Sequence, residues 1–234
     1  MKSHYQTALI VGAGSGLSAS IARVFTREGN LHVALAARNT DKLASLAKDL
    51  DALALACDAS DPAQVEALFR DVEKRFGAPP DVVVYNPSAR VRGPFTELDP
   101  TEVAKAMSVT AFGGFLVAQA AARAMLKRAS GAILLTGASA SVKGYPQSAA
   151  FAMGKFALRG LAQSIARELA PKGIHVAHFV IDGAIRNAGR TEPADAPDSM
   201  LDPDAIARTY LNVLNQDRSA WTWEIELRPW VERF

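Results

Sequence analysis

The chain has 234 residues, 49% of them hydrophobic, with a formal net charge of +2 and one cysteine, Cys57. The apolar fraction is enough for a sizeable core and excludes disorder as the default. The small charge, with no Lys/Arg block, does not by itself imply binding to nucleic acid or a membrane surface, and a single cysteine excludes a disulfide framework and a cysteine-based metal site.

Met1-Lys2-Ser3-His4-Tyr5 leads straight into a strand pattern, so no signal peptide is expected and the setting is read as cytoplasmic. Ala8 to Val11 is the first strand. Leu17, Ile21, Val24 and Phe25 then recur at helical spacing, and Gly29 can end that helix. Val33 to Ala36 forms a second strand, followed by a helix bearing Leu43, Leu46 and Leu50, and Leu53 to Cys57 forms a third. Asp61-Pro62 places an N-cap before a proline at the first helical position; Val65, Leu68, Phe69, Val72 and Phe76 line one face, and Gly77 closes the helix.

Asp81 to Tyr85, Ala132 to Leu135 and His175 to Val180 are the next three strands, with long helices at about Thr101–Lys127 and Ser148–Leu169 between them. The most apolar stretch, Val109 to Leu126, is broken by Gln119 and Arg123 and reads as a buried helix rather than a membrane span. Residues 186–203, RNAGRTEPADAPDSMLDP, are a long polar loop before a helix starting near Asp202-Pro203: either a lid over a site or a plain surface loop. Trp221, Trp223, Ile225 and Leu227 alternate with Thr222, Glu224, Glu226 and Arg228, a strand with one buried face, placed at a sheet edge. Repeated strand–helix alternation without a linker implies one α/β domain over 1–234: a doubly wound parallel sheet with helices on both faces.

Glycines 12, 14 and 16 follow a strand and open a helix, where a backbone free of side chains can approach a pyrophosphate at a helix N-terminus. The spacing is G-x-x-x-G-x-G with Ser18 in place of the last glycine. The second strand ends Ala36-Ala37-Arg38, with no carboxylate for a free ribose 2′-hydroxyl and an arginine suited to a 2′-phosphate, which favours NADP(H) over NAD(H).

Together these residues resemble the short-chain dehydrogenase/reductase family over nearly the whole chain. Val11-Gly12-Ala13-Gly14-Ser15-Gly16-Leu17-Ser18 sits at the family's Thr-Gly-x-x-x-Gly-x-Gly motif; Cys57-Asp58-Ala59 resembles the aspartate after the third strand that faces adenine; Tyr85-Asn86-Pro87-Ser88 lies where the family has Asn-Asn-Ala-Gly and keeps Asn86. The resemblance implies a Rossmann-type sheet of about seven strands, a nicotinamide dinucleotide held by Gly12, Gly14, Ser15, Gly16, Leu17, Arg38, Asp58, Ala59, Asn86 and Lys155, and a homodimer or homotetramer joined through the two long helices. It also implies hydride transfer with a small carbonyl or alcohol.

The family's reaction uses a tyrosine as proton donor or acceptor, a lysine that lowers its pKa and holds the nicotinamide ribose, a serine that stabilises the oxyanion, and an asparagine that supports the lysine through water. Register from Gly144-Tyr145-Pro146 puts Phe151 in the tyrosine position with Lys155 retained, Ala138 in the serine position and, from Val109-Thr110-Ala111-Phe112-Gly113, Thr110 in the asparagine position. Ser139 is a possible substitute donor, or a serine facing the neighbouring loop. Tyr145 and Tyr85 are packing residues or spare phenols, and His178 is read as a satisfied core histidine. Asp182-Gly183 stands where the family ends its strand with Pro-Gly, one residue later; Asp182 either points at the cofactor or is turned away by the slip.

Loss of the general acid removes about 3–5 kcal/mol of barrier lowering and loss of the oxyanion donor about 3–4 kcal/mol, the sum being an upper bound. Two functions fit: an NADP(H)-dependent oxidoreductase with a degenerate site and slow or altered hydride transfer, or a catalytically silent NADP(H)-binding protein serving as redox sensor or oligomer subunit.

Overall fold

The computed structural model describes residues 4–232; Met1 to Ser3, on which part of the signal-peptide reading rests, lie outside the described residues. In chain order the elements are β1 (Thr7–Val11), α1 (Leu17–Arg27), β2 (His32–Ala37), α2 (Ala44–Leu50), β3 (Leu53–Ala56), α3 (Pro62–Phe76), β4 (Val82–Tyr85), α4 (Pro100–Met107), α5 (Gly113–Leu126), β5 (Gly131–Thr136), α6 (Ala149–Leu169), β6 (Ile174–Ile181), β7 (Ala184–Ile185), β8 (Met200–Leu201), α7 (Pro203–Leu214) and β9 (Glu224–Leu227).

Seven strands form one parallel sheet in the order β3-β2-β1-β4-β5-β6-β9. Successive side chains on a strand point to opposite faces, so each buried strand feeds two cores. Ile10, Leu35, Val84, Leu134 and Phe179 pack on the face that takes Ile21 and Phe25 of α1 and Tyr210 of α7. Leu9, Val83, Tyr85 and Leu135 pack on the other, against Leu68 of α3, Val117 of α5 and Leu158 of α6. This two-sided burial is why the strands read as continuous apolar runs. The strand order reverses between β1 and β4, whose ends Val11 and Tyr85 are register partners, and a crevice opens outside their carboxyl ends.

Local chemistry explains the element ends. Asp61 caps α3 by accepting from the backbone N–H of Ala63 and Gln64, and Gly77 ends it at φ 76°. Gly29 does not supply the left-handed residue after α1; Asn30 does, at φ 61°. Glycine is needed at 29 because a Cβ there would come within 2.6 Å of Leu31 Cδ1 and 2.8 Å of the Phe25 carbonyl.

The long helix expected near Thr101–Lys127 is interrupted. A π-helical turn at Ser108–Phe112 joins α4 to α5, and the Tyr85 hydroxyl donates to the Val109 carbonyl within it. The whole stretch Pro100–Leu126 is long and apolar enough to cross a membrane. Its Val117, Ala118, Ala121 and Met125 are packed in the sheet's core, as in a core helix. Only Glu224–Leu227 of the alternating C-terminal segment is strand, at the sheet edge beside β6; Trp221 instead stacks on His175, rings 4.5 Å apart. The 186–203 segment is tied at both ends, β7 pairing with β8, and bends back through a bridge between Asn187 and Arg190.

Candidate active site

The crevice at the switch point begins with the glycine turn. Gly12 has φ 79°, and a Cβ there would sit 2.7 Å from Pro87 N, so only glycine lets the turn pass beneath the chain leaving β4. Gly14 and Gly16 differ: an added Cβ at either meets no protein atom within 4 Å. Packing does not demand glycine there, which leaves a bare backbone concavity. Gly16 caps α1 without any side-chain hydrogen bond, so the first amides of the helix remain open to an anion. Ser18 has a structural role in place of the last glycine: its Oγ donates to the Gly12 carbonyl at 3.0 Å and accepts from Asn86 Nδ2 at 2.7 Å, tying the turn to the end of β4.

A cavity of about 480 Å³ extends from this turn, lined by Gly12, Gly14, Ser15, Arg38, Asp58 and Ala59 among others. Asp58 accepts from the Ser60 backbone N–H at 3.0 Å and its hydroxyl at 2.7 Å, bonds that, with a smaller contribution from Arg38, hold its carboxyl below the usual range. Lys42 lines the same cavity and was not singled out from sequence; its position four residues after Arg38 was the available signal.

A second cavity of about 290 Å³ shares Asn86 and Ser88 with the first and contains Gly16, Leu17, Ala138, Phe151 and Lys155 in its wall. Lys155 is buried on α6, and its Nζ donates to the carbonyl of Thr136, the last residue of β5, at 2.7 Å. Burial, reinforced by the nearby Arg90 charge, pushes its pKa down from 10.5 to about 7. Phe151 lies one helical turn earlier, its ring centroid 6.0 Å from Lys155 Nζ. The Arg90 guanidinium stacks over the same ring, 4.1 Å from its centroid.

The structure brings Phe151, Lys155 and Ala138 together but leaves several neighbours out. Ser139 opens a 3-10 turn, its carbonyl accepting from Val142 and Lys143, and it is not part of the cavity wall. Thr110, buried in the π turn, accepts from the Ala89 N–H at 3.1 Å and abuts Gly154, so it anchors the chain leading to Arg90. Of the two placements open to Asp182, the second holds. Its buried carboxylate turns to Lys143 at 3.2 Å and Arg228 at 3.9 Å, while its neighbours Ile181 and Gly183 line the cavity. Tyr145 is exposed and outside the wall.

The expectation of a satisfied histidine at 178 holds for one ring nitrogen only. Nδ1 meets Glu224 Oε2 at 3.0 Å, and Nε2 has no partner. Burial pushes its pKa down to about 4, so the ring is neutral at pH 7, and the Nδ1 contact to a carboxylate assigns the proton to Nδ1. Arg159 pairs with both oxygens of Glu224 at 2.7 and 2.8 Å. This network joins α6, β6 and β9 beneath the site.

Sequence reasoning missed three arginines in the wall, Arg90, Arg186 and Arg190. The charge of the 186–203 segment was the available signal for the last two. Among the described residues no group of three or more His, Cys, Asp or Glu is placed to hold a metal ion.

Comparison with known proteins agrees with this fold. The family model for short chain dehydrogenase matches residues 6–181. An uncharacterized oxidoreductase of Staphylococcus aureus (strain N315) is 29% identical over 228 residues, covering 95% of this chain and 96% of its own. Among solved structures, a short-chain dehydrogenase from Rhodopseudomonas palustris aligns with a TM-score of 0.82 at 36% identity, over 96% of this chain and 99% of that one. An alcohol dehydrogenase from the archaeon Thermococcus sibiricus, complexed with 5-hydroxy-NADP, aligns with a TM-score of 0.85 at 26% identity, over 97% and 98%.

Proposed function

Since the chain belongs to the short-chain dehydrogenase family, we propose that it is an NADP(H)-dependent oxidoreductase acting on a small carbonyl or alcohol, with a degenerate active site that slows or alters hydride transfer. The observation that carries this reading is the pair of joined cavities, with Gly14 and Arg38 in the wall of one, Gly16 and buried Lys155 in the wall of the other, and bare backbone at both glycines. The NADP analogue bound by the related Thermococcus sibiricus alcohol dehydrogenase supports the choice of nucleotide.

The residues present fit that cofactor. The open amides at the start of α1 suit a pyrophosphate, Arg38 and Lys42 a 2′-phosphate, and Asp58 and Ala59 the adenosine. A bound reduced nicotinamide would supply a hydride to the substrate's carbonyl carbon, and the carbonyl oxygen would then need a proton. An ammonium carries three donors; one on Lys155 goes to Thr136, leaving the others for the nicotinamide ribose. With a pKa of about 7, Lys155 is half protonated near neutrality and is the group in the wall able to release a proton there. Phe151 and Ala138 carry no hydroxyl, and the lost acid and oxyanion donors raise the barrier by about 3–5 and about 3–4 kcal/mol, the sum being an upper bound.

A second reading, a silent NADP(H)-binding protein, is favoured by the Arg90 guanidinium lying over Phe151 and by Asp182 being turned away. Calorimetric titration with NADPH and NADH, followed by a screen of carbonyls and alcohols, separates the two. Turnover at ordinary rates would overturn the silent reading, and no binding of either nucleotide at millimolar concentration would overturn both. The double variant Phe151→Tyr, Ala138→Ser is expected to gain activity.

Phe112 at the end of the π turn, stacked on Phe115 of α5, and Met153 and Phe156 of α6 are exposed apolar side chains. They suit a homodimer or homotetramer through those helices; light scattering is expected to show the oligomer and its loss in Phe115→Lys, Phe156→Lys.

A further inference from the structure

The cavity beside Lys155 has an unusual charge. Arg90, Arg186 and Arg190 line it together with Lys155, and its wall contains no aspartate or glutamate. Elsewhere half-buried Arg128 and Arg159 are matched, with Asp81 and Glu224. Arg186 has a carboxylate at 3.4 Å, Asp202. Among the described residues Arg90 and Arg190 have no ion-pair partner. Both are set by local structure: Arg90 stacks on Phe151, and Arg190 is returned toward the cavity by the paired backbone bonds with Asn187, each 3.0 Å. Arg90 and Arg190 are exposed at the cavity mouth, and partial desolvation with the charges of Arg92 and Arg190 works against the Arg90 guanidinium, with no carboxylate to relieve it. Like charges gathered on one cavity give it a positive potential that favours an anion.

We propose that the substrate is a carbonyl compound bearing a carboxylate, held by Arg90 and Arg190 across the Phe151 ring. A guanidinium presents paired donors matching the two oxygens of a carboxylate. Arg38 lines the other cavity, which neither Arg90 nor Arg190 enters, whereas Gly16 and Leu17 at the start of α1 border the arginine cavity, so NADPH affinity of the arginine variants separates a substrate carboxylate site from a contact to the pyrophosphate. The proposal rests on the oxidoreductase reading and names the substrate class of the same site.

The test uses pyruvate, acetoacetate and levulinate, each beside its methyl ester. With NADPH, wild-type protein is expected to show a KM for at least one acid roughly 10- to 150-fold below that of its ester, the factor of one or two charge-assisted hydrogen bonds. Arg190→Ala and Arg90→Met are expected to abolish that discrimination. In parallel, the acids are titrated calorimetrically into the protein–NADP+ complex, and into the free protein should the nucleotide fail to bind. Absence of turnover with retained, Arg190-dependent acid binding would sink the oxidoreductase reading and leave the carboxylate site standing. Equal binding of acid and ester, no acid binding at all, or an Arg190→Ala variant that loses NADPH affinity while keeping acid affinity would overturn the proposal. Thermal melts of both variants confirm that they fold.

Discussion

Replacing Lys155 by methionine tests whether this buried amine stores strain for a bound nucleotide. A drop in pKa from 10.5 to about 7 corresponds, at about 1.4 kcal/mol per pKa unit, to a penalty of roughly 5 kcal/mol against the charged form. Below about pH 7 the lysine is protonated in both folded and unfolded chains, and the full penalty applies. Between about 7 and 10.5 the unfolded chain binds more protons, so wild-type stability rises with pH; above about 10.5 both forms are neutral and the penalty is gone.

Methionine removes the charge but also the bond to the Thr136 carbonyl, which costs about 1–3 kcal/mol. Lys155→Met should therefore be more stable than wild type by roughly 2–4 kcal/mol near pH 6, the advantage vanishing or reversing by about pH 10. Urea unfolding of nucleotide-free protein, followed by tryptophan fluorescence at several pH values, measures the difference directly. A variant less stable near pH 6, or a pH-independent difference, would refute the reasoning and mean that the ammonium is satisfied in the folded chain. The same variant should bind NADPH more weakly.

Other expectations follow from single contacts. Arg38→Ala should weaken NADPH by about 10- to 100-fold and leave NADH nearly unchanged, read by calorimetry. Glu224→Gln should cost roughly 1–3 kcal/mol at neutral pH. Its carboxyl is held below the usual range chiefly by the Arg159 hydrogen bond, so wild type keeps this stability above the unfolded carboxylate pKa and loses it as pH falls through the folded one. Urea midpoints of wild type and variant should converge on acidification. Tyr85→Phe removes the donor to the Val109 carbonyl in the π turn and should cost about 1–2 kcal/mol in a thermal or urea melt.

Much of the fold was legible because it is written in local periods. Apolar runs of four to six residues alternating with helical stripes define a parallel sheet covered on both sides, and the Asp61-Pro62 and Gly77 ends of α3 follow from the chemistry of a few adjacent residues. The glycines at 14 and 16 were likewise readable, since their value lies in having no side chain. The π turn at Ser108–Phe112 was not, because the helical stripe continues through it.

The site was legible only in part. Phe151, Ala138 and Lys155 could be brought together by register, but the 3-10 turn that takes Ser139 out of the wall is a matter of backbone path. Asp182 is turned away by Lys143 and Arg228, residues far from it in the chain. The perturbed amine of Lys155 depends on burial, which no single residue carries in its own identity. Most of all, Arg90 and Arg190 lie a hundred residues apart on a loop after β4 and a hairpin after β7, and each reads alone as a solvated arginine. By itself the sequence determined the sheet, the nucleotide turn and the absence of a hydroxyl at 151. The tertiary structure decided what charge that position faces, because Coulomb interactions act through space and their strength is set by the burial that only folding creates.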